Sequence, residues 1–313
     1  MKKVISYVLP IYNEEENIDI FYKELAKALK KTKSYEFELI FINDGSRDTS
    51  LSLLEDLAQK DKRVCVIDFS RNFGHQAAIT AGIDYANGDA VIIMDTDLQD
   101  PPLVSLELIE KWEAGYDVVY AQRKSRQDSF FKKITADAYY RLLSQTASID
   151  IPRNTGDFRL MGKAVVVELR KFREQNRYMR GLVSYLGFRQ VGVEFDRHAR
   201  YAGETGYPLK KMVKFAIDGI LSFSTTPIKL INHLGLGVAF LSFLALVVVA
   251  IIKLVDPSRL VPGWAFIVMS IFFMGGVQLI MMGVLGSYIG RTYSEVQRRP
   301  IYIVRDAINI KRP

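Results

Sequence analysis

The sequence has one cysteine and three histidines among its 313 residues. A lone thiol cannot close an internal disulfide, and Cys65 sits in the apolar run VCVIDF, where it reads as core. A cysteine cluster for zinc is excluded on the same count, and His75, His198 and His233 lack metal-ligand spacing. His75 reads as packing at a helix start, and no histidine receives a catalytic role. No internal repeat, low-complexity segment or recognised nucleic-acid module is visible. Charged residues at 25% and hydrophobic residues at 49% exclude disorder for the bulk of the chain. MKKVISYVLP turns polar too soon for a secretory signal, so the first domain is expected to stay in the cytosol.

Charge itself is missing from one region. Residues 234–289 hold only Lys253, Asp256 and Arg259, although the formal net charge is +7. Leu234–Ile252 and Leu260–Gly290 are uncharged runs, each long enough to cross a hydrocarbon core with about 20 helical residues. Lys210, Lys211, Lys214 and Lys229 precede the pair, and Arg291, Arg298, Arg299 and Arg305 follow it. That bias predicts two membrane helices with both termini in the cytoplasm. Residues 207–229 read as amphipathic helix lying on the interface, and His233 as a residue near it. The expected organisation is a first domain over 1–206, interfacial helices over 207–230, membrane helices over 231–290 and a cytoplasmic tail over 291–313. The excess of positive charge suits phosphate and anionic lipid heads.

Before that region, short apolar runs alternate with helical patterns. Strands are predicted at 4–9, 37–42, 64–69, 90–94 and 117–121. Helices are predicted at about 16–31, 49–60, 75–86 and 103–114. The alternation predicts an α/β domain with a mostly parallel sheet covered on both faces. Ligands of such sheets bind beyond the carboxyl ends of the strands. The polar clusters fall there: Asn13 and Glu14, Asp44, Arg71 and Asn72, then Asp95 and Asp97.

Asp95-Thr96-Asp97 ends a strand as VIIMDTDLQDPP. Paired carboxylates are hard ligands for Mg2+ or Mn2+, which would neutralise a departing diphosphate. Asp100, before Pro101 and Pro102, reads as the start of the next helix.

These residues, with VLPIYNEEENI, FINDGSRDTS, SRNFGHQAAITAGIDYANGD, NTGDFRLM and RYAGETGYPLKKM, resemble the family-2 glycosyltransferases of GT-A (Rossmann-like) fold. Within them the chain is similar to the polyprenyl-phosphate sugar transferases, which include dolichyl-phosphate mannose synthase and the bactoprenol glucosyltransferases. The wording is nearest the bactoprenol branch. The resemblance implies a nucleotide-sugar donor held by Pro10, Tyr12, Glu14, Asp44, Asp95, Thr96 and Gln99, with a divalent metal at Asp97 and Asp95. Asp44 could instead make an Asx-type turn in NDGS. Arg71, Asn72 and Gly74 shape the donor pocket or fix a loop.

The implied acceptor is undecaprenyl or another polyprenyl phosphate, with Arg123, Arg126 and Arg200 as its phosphate ligands. The alternative for the basic stretch from Arg123 is a solvated helix face. Asp157 matches the position that orients the acceptor or acts as base, and Asp97 and Asp157 are the catalytic candidates. The alternative for Asp157 is a buried carboxylate paired with Arg159. The implied reaction is a single displacement with inversion, glucose from UDP-glucose being favoured over mannose or another UDP-sugar by branch alone. An inactive sugar-lipid binding or flippase partner is the other class, against which the intact acidic residues argue. The expected partners are donor, lipid phosphate and bilayer, with no nucleic acid and with a homo-oligomer left open. Because every donor motif lies before Asp157, deleting 231–313 is expected to spare donor binding.

Overall fold

The computed structural model describes residues 2–124, 152, 155–196, 226–255 and 263–311. Four βα steps open the chain: β1 (Lys3–Ile11), α1 (Ile18–Leu29), β2 (Tyr35–Asn43), α2 (Ser50–Lys60), β3 (Val64–Phe69), α3 (His75–Tyr85), β4 (Ala90–Ile93) and α4 (Val104–Glu113). The first four predicted strands and the four predicted helices are present, with ends displaced by at most two residues. Then come β5 (Val118–Arg123), β6 (Thr155–Gly162), α5 (Lys163–Leu169), α6 (Met179–Tyr185) and β7 (Gln190–Phe195). The long helices α7 (Thr226–Val255) and α8 (Trp264–Val296) lead to a final strand, β8 (Val304–Ile308).

The eight strands form one sheet in the order β7-β5-β6-β4-β1-β2-β3-β8. The predicted parallel character holds for β4-β1-β2-β3, joined by crossover helices. The sheet as a whole is mixed, because β6 runs antiparallel to both β4 and β5, and β8 runs antiparallel to β3. Alternation along the strands divides the core. Ile5, Tyr7, Leu9, Phe37, Leu39 and Phe41 point to one face, under α1, α2 and α4; Val8, Ile40 and Ile42 point to the other, under α3, α5 and α6. Cys65 is buried on the second face, as expected. Helix α3 lies close on the sheet because Gly82 has no side chain: a Cβ there would stand 2.2 Å from Val8 Cγ1.

Residues 291–313 are more than a tail. Chain beyond α8 returns as β8 to complete the edge of the sheet, and Tyr302 stacks on Phe69 with ring centroids 5.3 Å apart. Polar sequence with an isolated VRDAI carries little strand signal, and only the open edge of β3 makes it one. Among the described residues, one helical segment, Phe273–Val296, is long and apolar enough to cross a membrane. Most of the stretch expected as interfacial helix, 207–225, lies outside the described residues, and α7 begins at Thr226.

Candidate active site

The loops at the carboxyl ends of β1, β2, β3 and β4 lock together by side-chain to backbone hydrogen bonds. After β1, the Asn13 N–H donates to Ser46 Oγ at 3.0 Å, while Asn13 Oδ1 accepts from Arg47 N–H at 2.9 Å. The Glu14 N–H donates to Ser50 Oγ, and the Glu14 carboxylate accepts from Asn17 Nδ2 at 2.5 Å. Asn13 holds φ 54, a left-handed conformation that asparagine tolerates better than most residues. Pro10 is buried and Tyr12 stands exposed at the rim.

Asp44 is buried, and its two oxygens accept the N–H groups of Phe73 and Gly74 at 2.6 and 2.9 Å. Burial pushes its carboxyl up, against the lowering effect of those two hydrogen bonds. The Asx-type turn in NDGS belongs to Asn43, whose Oδ1 accepts from Ser46 N–H at 3.2 Å. Asp44 therefore braces the SRNFG loop. Gly45 completes the junction with φ +66; an added Cβ would fall 2.5 Å from the Arg71 carbonyl carbon. Arg71 lies over the Phe73 ring at 4.0 Å and donates to the Asn72 carbonyl. Of the two readings for Arg71 and Asn72, these contacts are those of loop fixation.

Asp95 reaches the cleft half-exposed, whereas Asp97 is nearly buried and its Oδ1 accepts the Gln99 N–H at 3.1 Å. Thr96 turns inward and donates to the Pro10 carbonyl at 3.4 Å, so its side chain joins this loop to β1. Leu98 sits at φ 61, a conformation that costs a leucine about 1 kcal/mol or more and is characteristic of functional turns. Among the described residues no group of three or more His, Cys, Asp or Glu forms a metal cage. Two carboxylates on one loop do fit Mg2+ or Mn2+, ions that commonly take one or two protein carboxylates and complete their shell with substrate phosphates and water.

Strand β6 brings Asp157 beside this loop. Its Oδ1 accepts from Arg180 Nε at 3.1 Å, and its Oδ2 accepts from Gln76 Nε2 at 3.1 Å. His75 Nε2 lies 3.3 Å from Asp157 and 3.6 Å from Asp95, so it bridges the two carboxylates. His75, expected as packing at a helix start, is instead an ion-pair partner; the alternative for Asp157, a buried carboxylate paired with an arginine, is present with Arg180 in place of Arg159. Arg159 instead donates to the Gly156 carbonyl, and its charge acts on Asp157 from farther away. Arg180, on α6, carries no motif signal because the fold alone brings it to β6.

Burial works against an ionised Asp157, but Arg180, His75 and Arg159 together hold its carboxyl well below the usual range. Burial also works against a charged His75, yet the hydrogen bond to Asp157 and the charge of Asp95 raise it to about 9. Desolvation lowers Arg159 to about 10, which leaves it cationic at neutral pH. Arg123, at the end of β5, lies close by: a Cβ on Gly156 would stand 3.3 Å from its Nη2. Asp157 thus lies among His75, Arg159 and Arg180, with Asp95 on the other side of His75 and Arg123 beside the neighbouring Gly156. Arg126 and Arg200 lie outside the described residues.

The profile of Glycosyl transferase family 2 matches residues 6–170, which span β1 to the end of α5 and contain both acidic loops and Asp157. The chain is 48% identical over 307 residues to the uncharacterized glycosyltransferase YkcC of Bacillus subtilis, covering 98% of this chain and 94% of that protein. It is 44% identical over 304 residues to the bactoprenol glucosyl transferase of Shigella phage SfII, covering 96% and 97%. Among solved structures, glucosyl-3-phosphoglycerate synthase from Mycobacterium tuberculosis in complex with Mn2+, UDP and phosphoglyceric acid is 17% identical. That match covers 70% of this chain and 76% of the other, with a TM-score of 0.46. With one family profile over more than half its length and near full-length relatives well above 40% identity, the chain belongs to glycosyl transferase family 2.

Proposed function

We propose that this glycosyltransferase moves a hexose, glucose from UDP-glucose, onto undecaprenyl or another polyprenyl phosphate at the cytoplasmic face of the membrane. The observation that carries the reading is the meeting of two sites in one cleft. The Asp95–Asp97 loop lies against the His75–Asp157 pair, which is itself set among arginines. Near full-length similarity to bactoprenol glucosyl transferases supports the lipid phosphate as acceptor and glucose as the sugar.

In this reading the loops after β1, β2 and β3 bind the nucleotide, and Asp95 and Asp97 are the residues that would hold a divalent metal. A bound metal would supply charge neutralisation for the leaving diphosphate. Arg123, Arg180 and His75 orient the acceptor phosphate, with Arg126 and Arg200 as further ligands. A phosphate monoester has its second pKa at about 6, so the attacking oxygen is already largely ionised at neutral pH. Asp157 then positions the acceptor and its cations more than it removes a proton. The phosphate oxygen bonds to the anomeric carbon as the bond to UDP breaks on the opposite face, giving inversion and a lipid-phosphate sugar.

Helices α7 and α8 are the two membrane spans of this integral membrane protein, with both termini and the catalytic domain in the cytoplasm. The Lys and Arg bias around the apolar runs supports that orientation. The test incubates membranes containing the full chain with labelled UDP-glucose, GDP-mannose or other UDP-sugars and undecaprenyl phosphate. Label from UDP-glucose entering the lipid phase as one sugar per phosphate is the expected result. Label from another donor alone would overturn the choice of sugar, and no lipid-linked label would overturn the reaction.

A further inference from the structure

A cavity lined by several charged side chains lies away from the Asp95–Asp157 site. It has a volume of about 730 Å³ and forms where the end of α8 and the chain after it meet α3 and the loop after α5. Its wall includes Asp84, the last acidic residue of α3, whereas His75 opens that helix at the active site. Nine residues at 1.5 Å each separate the two ends by roughly 14 Å. The cavity is therefore distinct from the catalytic cleft, and its size falls within the range of small-ligand sites.

Its charges do not balance internally. Arg170, Arg173, Arg298 and Arg299 face Asp84 and Glu295. Both acids are engaged: Asp84 accepts from Arg173 Nη1 and Tyr302 Oη at 2.7 Å each, and Glu295 Oε1 accepts from Gln175 N–H at 2.8 Å. Arg170 spends its guanidinium on the carbonyls of Ile83 and Ala86, which close the C-terminal end of α3. That leaves the surplus on Arg298 and Arg299. Arg298 holds φ 48, a left-handed conformation that an arginine adopts at a cost, and it turns the chain so that both arginines line one wall.

We propose that this cavity binds the phosphate of an anionic phospholipid headgroup through Arg298 and Arg299. The proposal rests on the reading of α8 as a membrane span. The candidate span Phe273–Val296, uncharged up to Gly290, runs to the edge of the cavity, so a bilayer around it would bring its headgroup layer toward the two arginines on the side where anionic lipids are abundant. Paired guanidinium groups match phosphate oxygens in geometry as well as charge. The bound lipid would fasten α8 to the catalytic domain at the Gln175–Glu295 contact.

The test uses the full chain, released from membranes in mild detergent and offered phosphatidylglycerol or phosphatidylcholine, with bound lipids counted by native mass spectrometry. Wild type should retain phosphatidylglycerol over phosphatidylcholine by about tenfold, as expected for a charge-assisted pair. Arg298→Gln/Arg299→Gln should lose one phosphatidylglycerol per chain. Arg298→Lys/Arg299→Lys should keep part of it, and Arg291→Gln should keep it all. An unchanged thermal midpoint shows that the glutamine variant is folded; if it is not, the comparison of the lysine variant with wild type decides. Equal retention by wild type and variants overturns the proposal. Stabilisation by inorganic phosphate alone, with no preference for the lipid, overturns the choice of lipid as source. Alkaline carbonate extraction separates the two readings. A chain that washes off the membrane refutes the span, whereas one that stays embedded without retaining phosphatidylglycerol refutes only this site.

Discussion

Arg305, on the strand that follows the apolar helices, donates from Nε to Asp68 Oδ2 at 2.6 Å. Asp68 Oδ1 accepts from Asn43 Nδ2 at 2.8 Å, Asn43 Oδ1 accepts from Ser46 N–H, and Ser46 Oγ accepts from Asn13 N–H. A continuous line of hydrogen bonds therefore runs from the end of the chain to the loops assigned to the nucleotide.

Removing residues 300–313 would strip β8 from the sheet and leave the buried Asp68 with Asn43 as its remaining side-chain partner. UDP-glucose binding, measured by titration calorimetry, should weaken by about tenfold or more, and Arg305→Ala should show a smaller loss in the same direction. This reverses the expectation that everything after residue 231 can be deleted without cost to the donor site. Normal donor affinity in a folded truncation would reduce β8 to a cover for the edge of β3.

Asp97→Asn keeps the size of the side chain and an oxygen that can accept the Gln99 N–H. The variant should fold with an unchanged thermal midpoint and lose about 100-fold or more in turnover, and a chelator should abolish wild-type activity. Full turnover in chelator would remove the metal from the reaction.

His75 gains its raised pKa of about 9 from Asp157 and Asp95, against the effect of burial. A group raised from 6.5 contributes stability that is fully present below about pH 6.5 and is lost as pH rises through about 9. In chelator, the stability gap between wild type and His75→Gln should therefore narrow from pH 6 to pH 10 in urea unfolding. A gap that widens over that range would mean that the imidazole is neutral in the folded chain.

Gly45→Ala combines a left-handed backbone with a Cβ only 2.5 Å from the Arg71 backbone. Neither can relax without moving the 70–74 loop away from Asp44. The variant should lose about 2–4 kcal/mol of stability, or keep its fold with a displaced loop and weakened donor binding. Wild-type values for both stability and donor affinity would show that the loop packing is softer than its geometry indicates.

Burial pushes the Cys65 thiol up from 9 to about 12, so the thiolate is scarce near neutral pH. At pH 8 the folded chain should react with iodoacetamide about 1,000-fold more slowly than the urea-unfolded chain. Fast labelling of the native protein would place Cys65 outside the core.

Periodicity and punctuation in the sequence were sufficient for the βα order, because each of β1 to β4 is a self-contained apolar run followed by its own helix, amphipathic in α1, α2 and α4 and buried almost all round in α3. The same holds for the acidic and polar clusters: a strand's carboxyl end is a local property, so Asp44, Asp95 and Asp97 could be placed from spacing alone. Two kinds of information were not local. That β6 lies between β4 and β5, and that VRDAI is a strand at all, depends on pairing partners supplied by distant chain. The partners of Asp157 depend on the same assembly, since Gln76 and Arg180 stand 81 and 23 residues away from it. His75 looked like packing because a histidine at a helix start has no motif of its own. Its role appears only when β6, folded back between β4 and β5, sets a second carboxylate 3.3 Å from its ring.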